Sequence, residues 1–123
     1  MAIDVLVVDD STAIRKILQR VLRQTDLQLG EIAEAGDGVE ALELLRKKPF
    51  GLILSDINMP NMDGLQLLSA VRREEQWKKI PLLLITTEGS QERVLEAANL
   101  GATGYVRKPF TADQIKEKLV GVI

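Results

Sequence analysis

Four short stretches of the chain hold side chains able to do chemistry, and each lies at the end of an apolar run. Asp9-Asp10 closes Val5-Leu6-Val7-Val8, and Asp56 follows Leu52-Ile53-Leu54-Ser55. Thr86-Thr87 follows Leu82-Leu83-Leu84-Ile85, and Lys108-Pro109 comes just after Gly104-Tyr105-Val106. Brought together, three carboxylates repel one another and stay ionised only if a cation sits among them. The sequence holds no histidine and no cysteine. Oxygen-only ligands point to a hard ion, Mg²⁺ with Mn²⁺ as a substitute, rather than zinc or copper, and no EF-hand spacing favours Ca²⁺. One divalent ion and Lys108 would balance the three carboxylates and let the pocket accept an anionic phosphoryl group. A carboxylate can attack phosphorus to give an aspartyl phosphate, and Asp56 is the candidate nucleophile. The metal and Lys108 would clamp the phosphoryl oxygens while the Thr86 hydroxyl donates a hydrogen bond, so that positioning and electrostatics supply the catalysis. Carboxylates are ordinarily ionised at neutral pH, so such a nucleophile requires no general base.

That chemistry needs one sheet edge to collect all four stretches. Apolar runs at Ile3 to Val8, Ile32 to Ala35, Leu52 to Leu54, Leu82 to Ile85 and Gly104 to Val106 predict five strands. Between them, Ile14, Ile17, Leu18, Val21 and Leu22 form an amphipathic stripe at helical spacing. Shorter stripes follow at Val39, Leu42 and Leu45, at Leu65, Leu68 and Val71, and at Val94, Leu95 and Ala98; the last helix carries Ile115, Leu119 and Val122. Thr111 with Gln114 has capping-box spacing, and Gly101 suits the left-handed position that ends a helix. Met59 and Met62 read as loop packing, and Glu74 to Pro81 as an ordinary connection. Strands alternating with helices predict an α/β fold, a (βα)₅ doubly wound parallel five-stranded sheet covered on both faces. Ligands of such sheets bind beyond the carboxyl ends of the strands, where the four stretches fall.

The 123 residues, 46% hydrophobic and 28% charged, suit one self-sufficient soluble domain spanning 1–123. A formal charge of −2, with no cluster of basic and aromatic residues, disfavours direct nucleic-acid binding. Without cysteine or histidine, disulfides, thiol nucleophiles, Ser-His-Asp chemistry and a phosphohistidine of its own are excluded. No signal-peptide pattern and no long apolar segment is present, so a cytoplasmic location without membrane insertion is expected.

The segments VVDDSTAIRKIL, LSDINMPNMDGL, ITTE and GYVRKPFTADQI resemble the response-regulator receiver family of two-component signalling over essentially the whole chain. Single-domain chemotaxis regulators of the CheY type are the nearest group, through NMPNMDGL at 58 to 65 and GYVRKPFTA at 104 to 112. The resemblance implies the flavodoxin-like strand order 2-1-3-4-5. It implies that Asp9, Asp10, Asp56 and the Asn58 backbone carbonyl hold Mg²⁺, and that Asp56 is the phosphoacceptor. Thr86 would be the switch hydroxyl, Lys108 the phosphate-binding lysine, and Tyr105 the aromatic whose rotamer follows Thr86. Asn58, Thr87 and Glu88 would modulate access to the phosphoryl group. Thr87 departs from the family, where a small residue usually follows the switch threonine, and its bulk is expected to narrow that access. The expected partners are a histidine kinase or other phosphohistidine protein as donor, and a downstream protein on the face made by the fourth helix, fifth strand and fifth helix. The chain is expected to be a monomer.

Singly, each feature has a plainer reading. Asp9-Asp10 suits the start of a helix, where negative charge is favourable, and Lys108-Pro109 suits a solvated turn. Their coincidence at one sheet edge decides for a site. An enzyme acting on external phosphate esters would use a second acid two residues after the nucleophile, where Asn58 stands. A dinucleotide site would need G-x-G-x-x-G where Asp-Asp-Ser-Thr stands. A docking module without chemistry, a phosphorelay intermediate, and a receiver excised from a larger regulator are the remaining alternatives.

Overall fold

Every apolar run of the sequence lies in a strand, and every helical stripe but the end of the last lies in a helix, in the computed structural model of the protein, which describes residues 2–87 and 89–122. The elements are β1 (Ile3–Val8), α1 (Thr12–Arg23), β2 (Leu29–Ala35), α2 (Gly38–Lys47), β3 (Leu52–Ser55), α3 (Gly64–Arg73), β4 (Leu82–Thr86), α4 (Gln91–Asn99), β5 (Gly104–Arg107) and α5 (Ala112–Leu119). All neighbouring strands pair in parallel. Their order is β2-β1-β3-β4-β5, as the resemblance implied. Successive connections from β1 leave toward opposite edges, so the order reverses between β1 and β3. A crevice at that point is where such sheets take ligands.

Strand alternation divides the core in two. Leu6, Val8, Ile53, Leu82 and Leu84 face Ala41, Leu45, Leu65, Leu68, Val71 and Ala97, from α2, α3 and α4. Val5, Val7, Leu52, Leu54, Leu83 and Ile85 face Leu18, Leu22, Ile115 and Leu119, from α1 and α5. Burial on both faces explains why β1, β3 and β4 read as unbroken apolar runs. Ser11, Asp37, Asp63, Ser90 and Thr111 cap the five helices, each accepting a backbone N–H three residues on. The expected capping box at Thr111 and Gln114 is present, and Gly101 ends α4 with φ 96°.

The structure departs from the sequence expectations at four places. The stripe expected to face inward from α4 points outward: Val94, Leu95 and Ala98 are exposed and Ala97 is the buried residue. In a nine-residue helix with few apolar side chains, the sheet surface beneath decides the buried face. Helix α5 ends at Leu119, so Val122 lies beyond it and is exposed. The connection from Glu74 to Pro81 is a hydrogen-bonded turn that buries Trp77 against the α2–α3 layer. Arg72 bonds the carbonyls of Gly101 and Ile80 at 2.9 and 2.7 Å, tying the end of α3 to both. Strand β2 also begins earlier than its apolar run, at Leu29, because Ile3 pairs with Leu29 across a register irregularity.

Helix α1 is fastened to β2 by Glu34, whose carboxylate accepts from Arg15 Nε at 2.9 Å and Lys16 Nζ at 3.0 Å. These partners, Arg15 first, hold its pKa down to about 2 from the usual 4.5. A depressed carboxylate stabilises the fold above its unfolded pKa and loses that contribution as pH falls through the folded one. Glu34→Gln is therefore expected to cost on the order of 1 kcal/mol at neutral pH, since the cluster is half open to solvent. In urea unfolding, the gap between wild type and variant should hold down to about pH 5 and close toward pH 2.

Candidate active site

Strand geometry delivers the carboxylates. The Asp56 N–H donates to the Val8 carbonyl at 2.9 Å and the Asp9 N–H to the Ala35 carbonyl at 3.0 Å, so the β-ladder continues past Val8 and Ser55 and carries both residues into the crevice. Asp9 is 1% exposed and Asp56 9%, while Asp10 is exposed at the rim. Carboxylate oxygens of all three lie within 4.8 Å of one another. Asp9 Oδ1 accepts the Ser11 N–H at 2.9 Å, and Asp56 Oδ1 accepts the Ile57 N–H at 2.7 Å. One oxygen of each is thus held by the main chain, and the other meets Lys108.

Lys108 Nζ lies 2.8 Å from Asp9 Oδ2 and 3.2 Å from Asp56 Oδ2. Its own backbone N–H donates to the Thr86 carbonyl at 2.9 Å, and a cis peptide bond joins it to Pro109. Burial pushes the Asp9 carboxyl above its ordinary pKa, even though the Lys108 hydrogen bond, the Ser11 N–H and the Lys108 charge all oppose it. Burial works to lower the Lys108 pKa, but the hydrogen bond it donates to Asp9 and the charges of Asp56 and Asp9 together raise it. The buried charges are therefore held as an interlocked set, each costly alone.

Thr86 ends β4 fully buried, and Thr87 beyond it is exposed. Thr87 lines an apolar hollow of about 420 Å³ with Ile14, Ile17, Lys108, Pro109 and Phe110, beside the carboxylates. Tyr105 sits away from the carboxylates, half-buried on β5 opposite Leu84. Because Thr86 pairs with Arg107, Thr86 and Tyr105 share one face of the sheet, the face covered by α4. Asn58 is exposed in the loop after β3. Glu88 lies outside the described residues.

Two supporting residues gave no signal in the sequence. The Arg15 guanidinium donates to the Asp9 backbone carbonyl at 2.6 Å, an approach that needs α1 folded back over β1. Gly64 begins α3 pressed against the main chain of Asp56: its N–H donates to the Ile57 carbonyl at 2.7 Å, and a Cβ there would lie 2.0 Å from the Asp56 carbonyl oxygen. Neither periodicity nor spacing announces a contact made across two elements.

Comparison with known proteins places the chain in a family. A family model for the response regulator receiver domain matches residues 5–120, and the chain belongs to that family. The chemotaxis protein CheY-3 of Vibrio cholerae is 44% identical over 115 residues, which cover 94% of this chain and 87% of that protein. The chemotaxis protein CheY of Pseudomonas aeruginosa is likewise 44% identical over 94% of this chain and 91% of its own length. The solved structure of the chemotaxis response regulator CheY4 of Vibrio cholerae matches with a TM-score of 0.87 at 39% identity, with full coverage of both chains. The chain is thus a CheY-like response regulator receiver of two-component signalling.

Replacing Lys108 by Met should leave Asp9 buried beside Asp56 with no cation against it. In chelator at pH 7 the variant is expected to lose roughly 2 kcal/mol in urea unfolding, less than a fully buried broken pair costs because the rim is open to water. Burial favours the protonated form of Asp9, so its ionisation works against the fold above the raised pKa. The deficit should accordingly shrink as pH falls and Asp9 takes up its proton.

Proposed function

We propose that this receiver accepts a phosphoryl group on Asp56 from the phosphohistidine of a histidine kinase, in a Mg²⁺-dependent reaction, and so switches the binding of a downstream protein in chemotaxis. The observation that carries the reading is the single Lys108 ammonium bridging Asp9 and Asp56, with Asp10 completing an oxygen-only cluster. The chemotaxis setting rests on the CheY relatives of Vibrio cholerae and Pseudomonas aeruginosa.

Carboxylates Asp9, Asp10 and Asp56, with the Asn58 carbonyl, have the donor chemistry Mg²⁺ prefers: hard oxygens with room left for water and phosphate oxygens. Bound there, the ion supplies positive charge that offsets the crowded carboxylates and an incoming phosphoryl group. Asp56 is the nucleophile. Its oxygen forms the new O–P bond as the N–P bond of phosphohistidine breaks, and the departing imidazole nitrogen keeps the bonding pair. Lys108 then shifts its ammonium onto the phosphoryl oxygens, while Thr86, at the end of β4, donates its hydroxyl to one of them. Hydrolysis restores the carboxylate.

The signal leaves through the face made by α4, β5 and α5. Thr86 and Tyr105 share the α4 face of the sheet, so movement of one changes what the other packs against. Helix α4 offers Val94 and Leu95 to solvent, 38% and 62% exposed, as apolar contacts for a partner protein. A ligand shifts such an equilibrium only by its differential affinity for the two states, and the aspartyl phosphate supplies that difference through Thr86.

Incubation with a small acyl phosphate and Mg²⁺ should give one hydroxylamine-labile phosphoryl adduct by intact mass. The adduct should be absent from Asp56→Asn and from wild type in chelator. An adduct that persists in Asp56→Asn would sink the assignment. Thr87→Ala, which trims the rim beside Lys108, is expected to speed loss of the phosphoryl group several-fold; an unchanged decay of the adduct would remove Thr87 from the access route.

A further inference from the structure

The loop after Asp56 is fastened at its far end to a helix that carries none of the proposed site residues. Asn61 is the one non-glycine residue with positive φ, 65°, among the described residues. Its Nδ2 donates to Asp37 Oδ2 at 2.7 Å. Asp37 is the N-cap of α2, and its other oxygen accepts the Glu40 N–H at 2.9 Å. At 8% exposed it is almost buried, and the Glu40 N–H first, then the Asn61 amide, hold its carboxyl below the usual range. Next to it the Gly38 N–H donates to the Met62 carbonyl at 3.1 Å. The Met62 side chain lies so close that a Cβ on Gly38 would come within 2.6 Å of its Cγ.

Capping a helix uses one carboxylate oxygen, and serine or threonine does it nearly as well. The second oxygen of Asp37 is committed to Asn61, a contact that does nothing for α2. It holds in place a residue in the left-handed conformation, which costs about 1 kcal/mol for most side chains and which asparagine adopts more readily than others. At the near end of the loop, Gly64 is clamped to Ile57. Residues 58–61 between the two fastenings are largely exposed and belong to no helix or strand. Besides these fastenings, the loop that carries the Asn58 carbonyl of the proposed metal site is held by Met59 and Met62, which pack against the core.

We propose that Asp37 and Asn61 are positioning residues that set the Asn58 carbonyl for the metal, by latching the β3–α3 loop to the N-terminus of α2. The latch rests on the Mg²⁺ site proposed above. It makes metal affinity depend on a helix outside that site, as partners standing behind metal ligands commonly do.

Asn61→Gly keeps the left-handed backbone and deletes the amide, and Asp37→Ser keeps a capping oxygen and deletes the second acceptor. Mg²⁺ dissociation constants would be read by calorimetric titration, with melting temperature and amide exchange at Gly38 in chelator. Each single variant is expected to bind Mg²⁺ about tenfold more weakly. The double variant should be no weaker than either, because both remove one shared contact. Gly38 should exchange faster without metal, with little change in melting temperature. Unchanged Mg²⁺ affinity in both variants would overturn the latch, as would a double variant equal to the product of the singles, or a melting temperature that collapses in both. A wild type that binds no Mg²⁺ would instead overturn the metal site, with the latch's purpose, while Gly38 exchange still reports the fastening itself.

Discussion

The close approach of Asp9 and Asp56 is possible because one ammonium lies against both. Two carboxylates that buried, with a third at the rim, would otherwise drive each other toward protonation. Lys108 reaches them from the far side of the sheet, with β3 and β4 between its own strand and β1. Its backbone is pinned to Thr86, so the ammonium, both carboxylates and the buried hydroxyl are registered by the same ladder of parallel strands. The opposed pushes on Asp9, raised by burial and lowered by Lys108, leave a pocket whose charge balance shifts when a further cation or anion enters.

The rest of the molecule protects that arrangement. β1 from Val5 onward, β3 from Leu52 to Leu54 and β4 from Leu82 to Ile85 are apolar and sealed by helices on both faces, so the polar residues that follow them emerge together at one edge. Arg15 from α1 fixes the main chain of Asp9, and Gly64 at the start of α3 sits against the main chain of Asp56. Each main-chain position is thus set by an element packed on a different side of the sheet. Such support matters because a misplaced ligand or nucleophile costs far more than the contact that misplaced it.

Stability is spread unevenly around this centre. Helices α2 and α3 contribute several buried side chains each, whereas α4 contributes Ala97 alone. An element with few buried apolar contacts rearranges at small cost, and moving elements are drawn from that class. Thr86 ends the strand that leads toward α4, and Tyr105 lies on the sheet face beneath it. The carboxylate cluster and a lightly held helix therefore meet at the carboxyl end of β4.

The (βα)₅ alternation, the strand ends bearing Asp9, Asp56, Thr86 and Lys108, the capping box at Thr111 and the turn at Gly101 were legible in the amino-acid sequence. These are local: apolar periodicity fixes strand against helix, and a charged residue after an apolar run marks where a buried strand surfaces. The oxygen-only ligand set followed from composition, and the strand order from family resemblance. The contacts of Arg15, Gly64 and the Asp37–Asn61 pair join segments far apart in the chain, and no spacing rule reaches them. The inward turn of Ala97 rather than Val94 and Leu95 was decided by the sheet surface beneath α4. Sequence by itself determined which residues stand at the sheet edge, because that depends on each strand's own pattern; tertiary structure alone decided what holds them there and which helix face stays exposed, because those are set by surfaces that exist only once the layers have packed.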